Sequence, residues 1–177
     1  MEDVIFTTDG KIKLPQPNEI STREKEDAMG AYLMMFAAWA IGLPLPFLSL
    51  IAAFIYHMIN KNKSRFVAFH SYQSLITEAL ISTLNAVLVI WLFIILFAGD
   101  KLYFPSLFFI YLIFVIFWNI VYTVVSLIGC FKAKKGQFYY FLLFGRIAFN
   151  AYYGKKAQLK MQKQKQMSTE NKPPQGF

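Results

Sequence analysis

The chain has 177 residues, enough for one compact domain; 56% of them are hydrophobic, 19 are phenylalanine, and the formal charge is +8. Its apolar residues come in long uncharged runs, which leave no polar face for water and exclude an ordinary soluble fold. The single cysteine, Cys130, excludes an intramolecular disulfide and any CxxC metal or redox pair.

Lipid is therefore the expected solvent, and a backbone in lipid satisfies its amides only as helices or as a closed barrel. Barrel strands alternate polar and apolar residues over about ten positions. The runs AVLVIWLFIILF and SLFFIYLIFVIFW are apolar throughout. The expected fold class is all-α: a polytopic transmembrane helical bundle of four hydrophobic helices, the first two a proline-broken hairpin, plus an interfacial C-terminal helix.

Residues 1–27 read as a polar leader, with seven acidic residues against four basic ones. They have no apolar stretch ahead of a small-residue cleavage site, so the first hydrophobic segment is expected to direct insertion. Ser21 and Glu24 have the spacing of a capping box, in which hydroxyl and carboxylate each satisfy a free amide of a helix start. The membrane domain is expected over residues 28–153. Its first part is apolar but broken by Gly42, Pro44 and Pro46, and proline both removes an amide donor and clashes with the preceding turn. Two arrangements fit: a hairpin of helices at 28–41 and 47–60, or one crossing preceded by a tilted interfacial segment.

Lys61, Lys63 and Arg65 then form a basic turn. A long helix over 69–97 leads to the tight Gly99, Asp100, Lys101 loop, and Pro105 opens another over 105–131. Lys132, Lys134, Lys135 and Gly136 make a second basic turn. The positive-inside rule puts both basic turns in the cytoplasm and the Asp100 loop opposite, so the two long helices form an antiparallel pair. Residues 137–153 are short, aromatic and contain Arg146, which suits a helix lying in the interface with its arginine snorkelling. Residues 154–177 read as a basic, disordered tail whose lysines act as a topology signal and meet anionic headgroups. The expected location is a bacterial cytoplasmic membrane, multi-pass, with a cytoplasmic C-terminus. The expected partners are the bilayer and other membrane proteins or further copies of the chain, not nucleic acid.

On the first long helix Ser71, Ser74, Glu78, Ser82 and Asn85 follow at steps of three or four and share one face. The next helix repeats this with Asn119, Thr123, Ser126 and Cys130. Folding the pair about the loop brings Asn85 towards Asn119, and Glu78 towards Thr123 and Ser126. Two readings follow. The polar residues either bond the helices together, each bond contributing about 0.6 to 2 kcal/mol, or line a hydrated groove around Glu78. His57 and His70 flank the basic turn without a cysteine or carboxylate at helical spacing, a poor metal site. No nucleophile and base, phosphate-binding glycine loop or paired carboxylates occur, so neither catalysis nor a cofactor is expected.

The segment SRFVAFHSYQS, with Arg65, Phe66, Phe69, His70 and Gln73 after Lys63, resembles the helix-opening signature of the Tic-type import component family. That family includes the twenty-kilodalton membrane subunit of the chloroplast inner-envelope import machinery and bacterial import component-like proteins. The segment AKKGQFYYFLLFGR, with Lys135, Gly136, Tyr139, Tyr140 and Arg146, looks like the closing motif of the bacterial branch. The resemblance covers roughly residues 28–150. It implies a small polytopic protein that helps form a protein-conducting path within a membrane complex. A reading from a different class is a small-solute or ion transporter whose path uses Glu78, Asn85 and Asn119.

Overall fold

A computed structural model describes residues 14–37, 47–97, 104–142, 144–154 and 159. The first 13 residues of the polar leader, the Pro44 bend, the Asp100 loop and nearly all of the basic tail lie outside these residues. The described residues form five α-helices and no strand: α1 (Thr22–Leu33), α2 (Leu48–Asn60), α3 (Arg65–Phe97), α4 (Ser106–Lys134) and α5 (Gly145–Tyr153). A single 3-10 turn, Met34–Phe36, continues α1.

Local chemistry sets the ends. The Ser21 hydroxyl accepts from the Glu24 amide, and the Glu24 carboxylate accepts from both the Ser21 amide and hydroxyl, so α1 begins at Thr22. The Ser64 hydroxyl accepts from the Val67 amide and opens α3 four residues earlier than the expected position 69. At the end of α4 the Gln137 amide reaches back to the Lys132 carbonyl and the Gly136 amide to Ala133. Gly136 supplies the left-handed backbone, φ 72°, that this double closure needs. The helix thus runs on through Lys132 and Lys134, beyond the expected end at 131.

Two helices, α3 and α4, are long and apolar enough to cross a membrane, and only 17% of each apolar window is buried inside the fold. So low a figure separates them from the core helices of a soluble protein. Their outer halves present Ile90, Phe93, Ile94, Phe97, Ile110, Ile113 and Phe117 to the surroundings. At 1.5 Å per residue the 33-residue α3 is about 50 Å long, well beyond a hydrocarbon core of about 30 Å.

The excess lies at the basic end, where protein encloses α3. Phe66, Val67, Ala68, Phe69, His70, Ser71, Gln73 and Ser74 are all buried. α1 and α2 supply part of that enclosure and run antiparallel to each other. The Tyr56 phenol donates to the Asp27 carbonyl at 2.8 Å, Lys63 pairs with Asp27 at 3.0 Å, and the Ser49 hydroxyl donates to the Met35 carbonyl at 2.9 Å. The start of α1 and the end of α2 are therefore neighbours, as a hairpin requires. Gly30 lies so close to the Tyr56 ring that a Cβ there would collide with the phenol oxygen. The described helical part of α2 has 13 residues, about 20 Å, too short for a full crossing.

Residues 137–142 and 144 are not helical, and α5 starts only at Gly145, so the helix expected over 137–153 is shorter. The backbone of this segment is drawn into the core instead: Phe138 and Phe141 pack on Phe66, Phe69 and Tyr32.

Candidate functional site

Polar side chains are concentrated along α3, and the structure sorts them into three groups. The deepest in the protein is centred on Gln73, which has no exposed surface. Its Nε2 donates to the Tyr139 carbonyl at 3.0 Å, and its Oε1 accepts from the Phe141 amide at 3.3 Å. A carbonyl can only accept and an amide only donate, so these partners fix which way the side-chain amide points. The second Nε2 hydrogen goes to the Tyr32 phenol oxygen at 2.9 Å. Tyr32 then directs its own hydrogen to His70 Nδ1 at 2.8 Å, which places the imidazole proton on Nε2. That nitrogen faces the Gln137 backbone, just outside direct hydrogen-bonding geometry. One glutamine thereby joins α1, α3 and the segment before α5.

The second group ties α2, α3 and α5. His57 bonds the Ser71 hydroxyl through Nδ1 at 2.9 Å and the Tyr152 phenol through Nε2 at 3.1 Å. Burial, with Tyr72 adding to it, pushes the Tyr152 phenol up to about 12, so it stays protonated at neutral pH. Every proton finds an acceptor if Tyr152 donates to Nε2, Nδ1 donates to Ser71, and Ser71 donates to the Ala68 carbonyl at 3.3 Å.

The third group lies between α3 and α4, where the sequence places the two polar stripes. Glu78 is buried; one carboxylate oxygen accepts from the Tyr122 phenol and the other from the Ser82 hydroxyl at 3.1 Å. Asn85 and Asn119 exchange reciprocal bonds, Asn119 Nδ2 to Asn85 Oδ1 at 2.8 Å and Asn85 Nδ2 to Asn119 Oδ1 at 3.2 Å. Asn119 also donates to the Val115 carbonyl of its own helix. The remaining stripe residues go elsewhere. Thr123 turns back to the Asn119 carbonyl, and Ser74 bonds the Ala31 carbonyl of α1. Ser126 is buried one turn from Tyr122, its hydroxyl outside direct bonding geometry.

Tyrosines that do not stand out in the sequence complete these groups, Tyr122 on Glu78, Tyr32 between Gln73 and His70, and Tyr152 on His57, while Tyr111 donates to the Leu84 carbonyl at 3.0 Å. Tyr122 lies directly beside Thr123, so the fold-back that brings Glu78 towards Thr123 and Ser126 reaches its neighbourhood. Its ring, however, reads as one more apolar residue. Among the described residues no group of three or more His, Cys, Asp or Glu could hold a metal ion.

Of the residues quoted for the import resemblance, Phe66, Phe69, His70 and Gln73 are buried packing and bonding residues of α3. Gly136 closes α4, and Arg65 and Arg146 flank the same end of the bundle. Their arrangement meets the needs of a fold.

Comparison with known proteins replaces that resemblance. The model of the magnetosome magnetite crystal formation protein family matches residues 25–148, a span that contains both quoted segments. The assignment to a Tic-type import component family is thereby overturned, and the import role goes with it. No curated protein and no solved structure matches the chain.

Proposed function

The chain belongs to the magnetosome magnetite crystal formation protein family, and from that premise we propose that it is a non-enzymatic membrane component acting in crystal formation. The observation that carries this reading is the extent of the match. It begins inside α1 and ends inside α5, so the family's defining unit is the helical assembly with its two lipid-length helices. In this reading α3 and α4 span the membrane, and α1 with α2 forms a hairpin inserted part of the way from the side of the basic turns. The positive-inside rule puts the turns at Lys61–Arg65 and Lys132–Lys135 in the cytoplasm, along with α5. The membrane is a bacterial one, either the cytoplasmic membrane or one derived from it.

The protein acts by organising its surroundings. Asn85 with Asn119, and Glu78 with Tyr122 and Ser82, direct their polar atoms at each other, which favours helix cohesion over a path for solute. The exposed apolar faces of α3 and α4 remain for lipid, for other membrane proteins or for further copies of the chain.

The test is complementation in a magnetosome-forming host from which the resident family member has been deleted. The full chain, expressed there with a fluorescent tag, restores the crystal-size distribution seen by electron microscopy and co-fractionates with the crystal-enclosing membrane. Crystals that stay at the deletion-strain size while the protein reaches that membrane would overturn the proposal.

A further inference from the structure

Tyr140, Leu142 and α5 carry an outward face that the bonding scheme leaves unused. Leu142 is 98% exposed, and Ile147 and Tyr140 are about half exposed, while on the opposite side Ala148 and Tyr153 are buried against the bundle. A leucine standing almost entirely free of its own protein is costly in water and costs nothing in acyl chains. Arg146 is exposed beside Ile147 and has no ion-pair partner among the described residues.

Depth is set by Tyr152, which bonds His57 of α2. The two residues after His57, Met58 and Ile59, are outward-facing and exposed, and Lys61 follows them. The α5 segment therefore lies level with the place where apolar surface gives way to lysine, the acyl–headgroup boundary. Basic residues gather there, beside the acidic residues that α1 brings to the same end, of which Asp27 is paired with Lys63 and Glu24 caps its own helix. Residues 137–153 contain Arg146 and no acidic residue, and Lys132, Lys134 and Lys135 stand exposed at the nearby end of α4.

We propose that this segment is a binding foot for anionic phospholipid, with Leu142 and Ile147 in the acyl boundary and the Arg146 guanidinium on the headgroup phosphate. The planar guanidinium matches two phosphate oxygens at once, which a lysine ammonium does not. The Gln73 bonds to Tyr139 and Phe141 tie the start of the foot to α3, which lowers the ordering that binding requires. The inference rests on the membrane reading above and assigns that reading a lipid class.

The experiment uses the full chain with Cys130→Ser, purified and placed in nanodiscs of phosphatidylcholine with or without phosphatidylglycerol. An environment-sensitive dye is attached at Leu142→Cys, and in a separate sample at Phe117→Cys on the lipid-facing side of α4. With phosphatidylglycerol the dye at 142 is quenched by a nitroxide near the lipid headgroup, and quenching by aqueous iodide falls several-fold. Adding Arg146→Gln removes this dependence on phosphatidylglycerol, and inorganic phosphate does not substitute for the lipid. A dye at 142 as open to iodide as free dye overturns the foot; insertion indifferent to phosphatidylglycerol overturns the anionic assignment. If the dye at 117 is not quenched by lipid nitroxide, the membrane reading itself falls and the foot with it.

Discussion

Gln73 shows how much one buried amide can decide. All three of its polar contacts lead to other parts of the chain, two of them to backbone groups that have no alternative partner in an apolar surround. Replacing it with leucine leaves the Tyr139 carbonyl and the Phe141 amide bare, each costing about 1–3 kcal/mol. Gln73→Leu is therefore expected to lower the thermal midpoint in detergent sharply, with the loss beginning in the segment before α5 as read by proteolysis near Leu142. An unchanged midpoint would remove Gln73 from the account. Asn85 and Asn119 make the complementary case of two side chains that serve each other. A double-mutant cycle with Asn85→Ala and Asn119→Ala is expected to give a coupling of about 0.6–2 kcal/mol, and additivity within error would show the pair to be idle. The stripe that holds Glu78, Ser82 and Asn85 is legible in the sequence because small polar residues recurring with helical period stand out against an apolar run. The tyrosines are not. A phenol counts as apolar in such a run, and its reach is fixed by the register between helices, which no single segment encodes.

At the scale of elements, termini were easier to read than the path between them. The Ser21–Glu24 box is visible as spacing and forms as such. Burial of the Glu24 carboxyl raises its pKa, but the bonds from the Ser21 hydroxyl and amide outweigh this and hold it below the ordinary carboxylate range. A lowered folded pKa means that the cap's stabilisation is complete above the unfolded value and is lost as pH falls through the folded one. Thermal melts taken from neutral pH down to about pH 3 are thus expected to show a larger acid-induced loss for the native chain than for Glu24→Gln, and equal losses would contradict the cap. Gly136 is the matching case at a helix end. Its φ of 72° is strained for any side chain, and a Cβ would lie 3.1 Å from the Pro17 backbone. Gly136→Ala is expected to cost about 1–2 kcal/mol in a chemical denaturation series, whereas a neutral outcome would mean that the closure is dispensable. By contrast, the non-helical course of residues 137–142 could not be read from local preference, because it is Gln73, more than sixty residues earlier, that captures the backbone of Tyr139 and Phe141. From the sequence the hairpin is the expected arrangement and the single crossing its alternative, since prolines announce a bend and not its angle. The contact of Tyr56 with Asp27 sets α1 and α2 side by side, and the bend between them lies outside the described residues.

For the whole molecule the central physical fact is length. Helices α3 and α4 are longer than a bilayer needs, and the surplus is wrapped by α1, α2 and α5 at the end that carries the lysines. That gives the fold two zones, a collar held by hydrogen bonds and a bare apolar stem, and brings both basic turns to the same end of the helix pair. The measurement that tests this most directly is cysteine labelling at Asn62→Cys and Lys134→Cys, each in a Cys130→Ser background, with a membrane-impermeant reagent on spheroplasts of the expressing cells. Both positions are exposed in the fold, so protein burial does not shield them. The account predicts that neither labels in intact spheroplasts and that both label once the membrane is permeabilised. Labelling of either one from outside, or of the two from opposite sides, would contradict it.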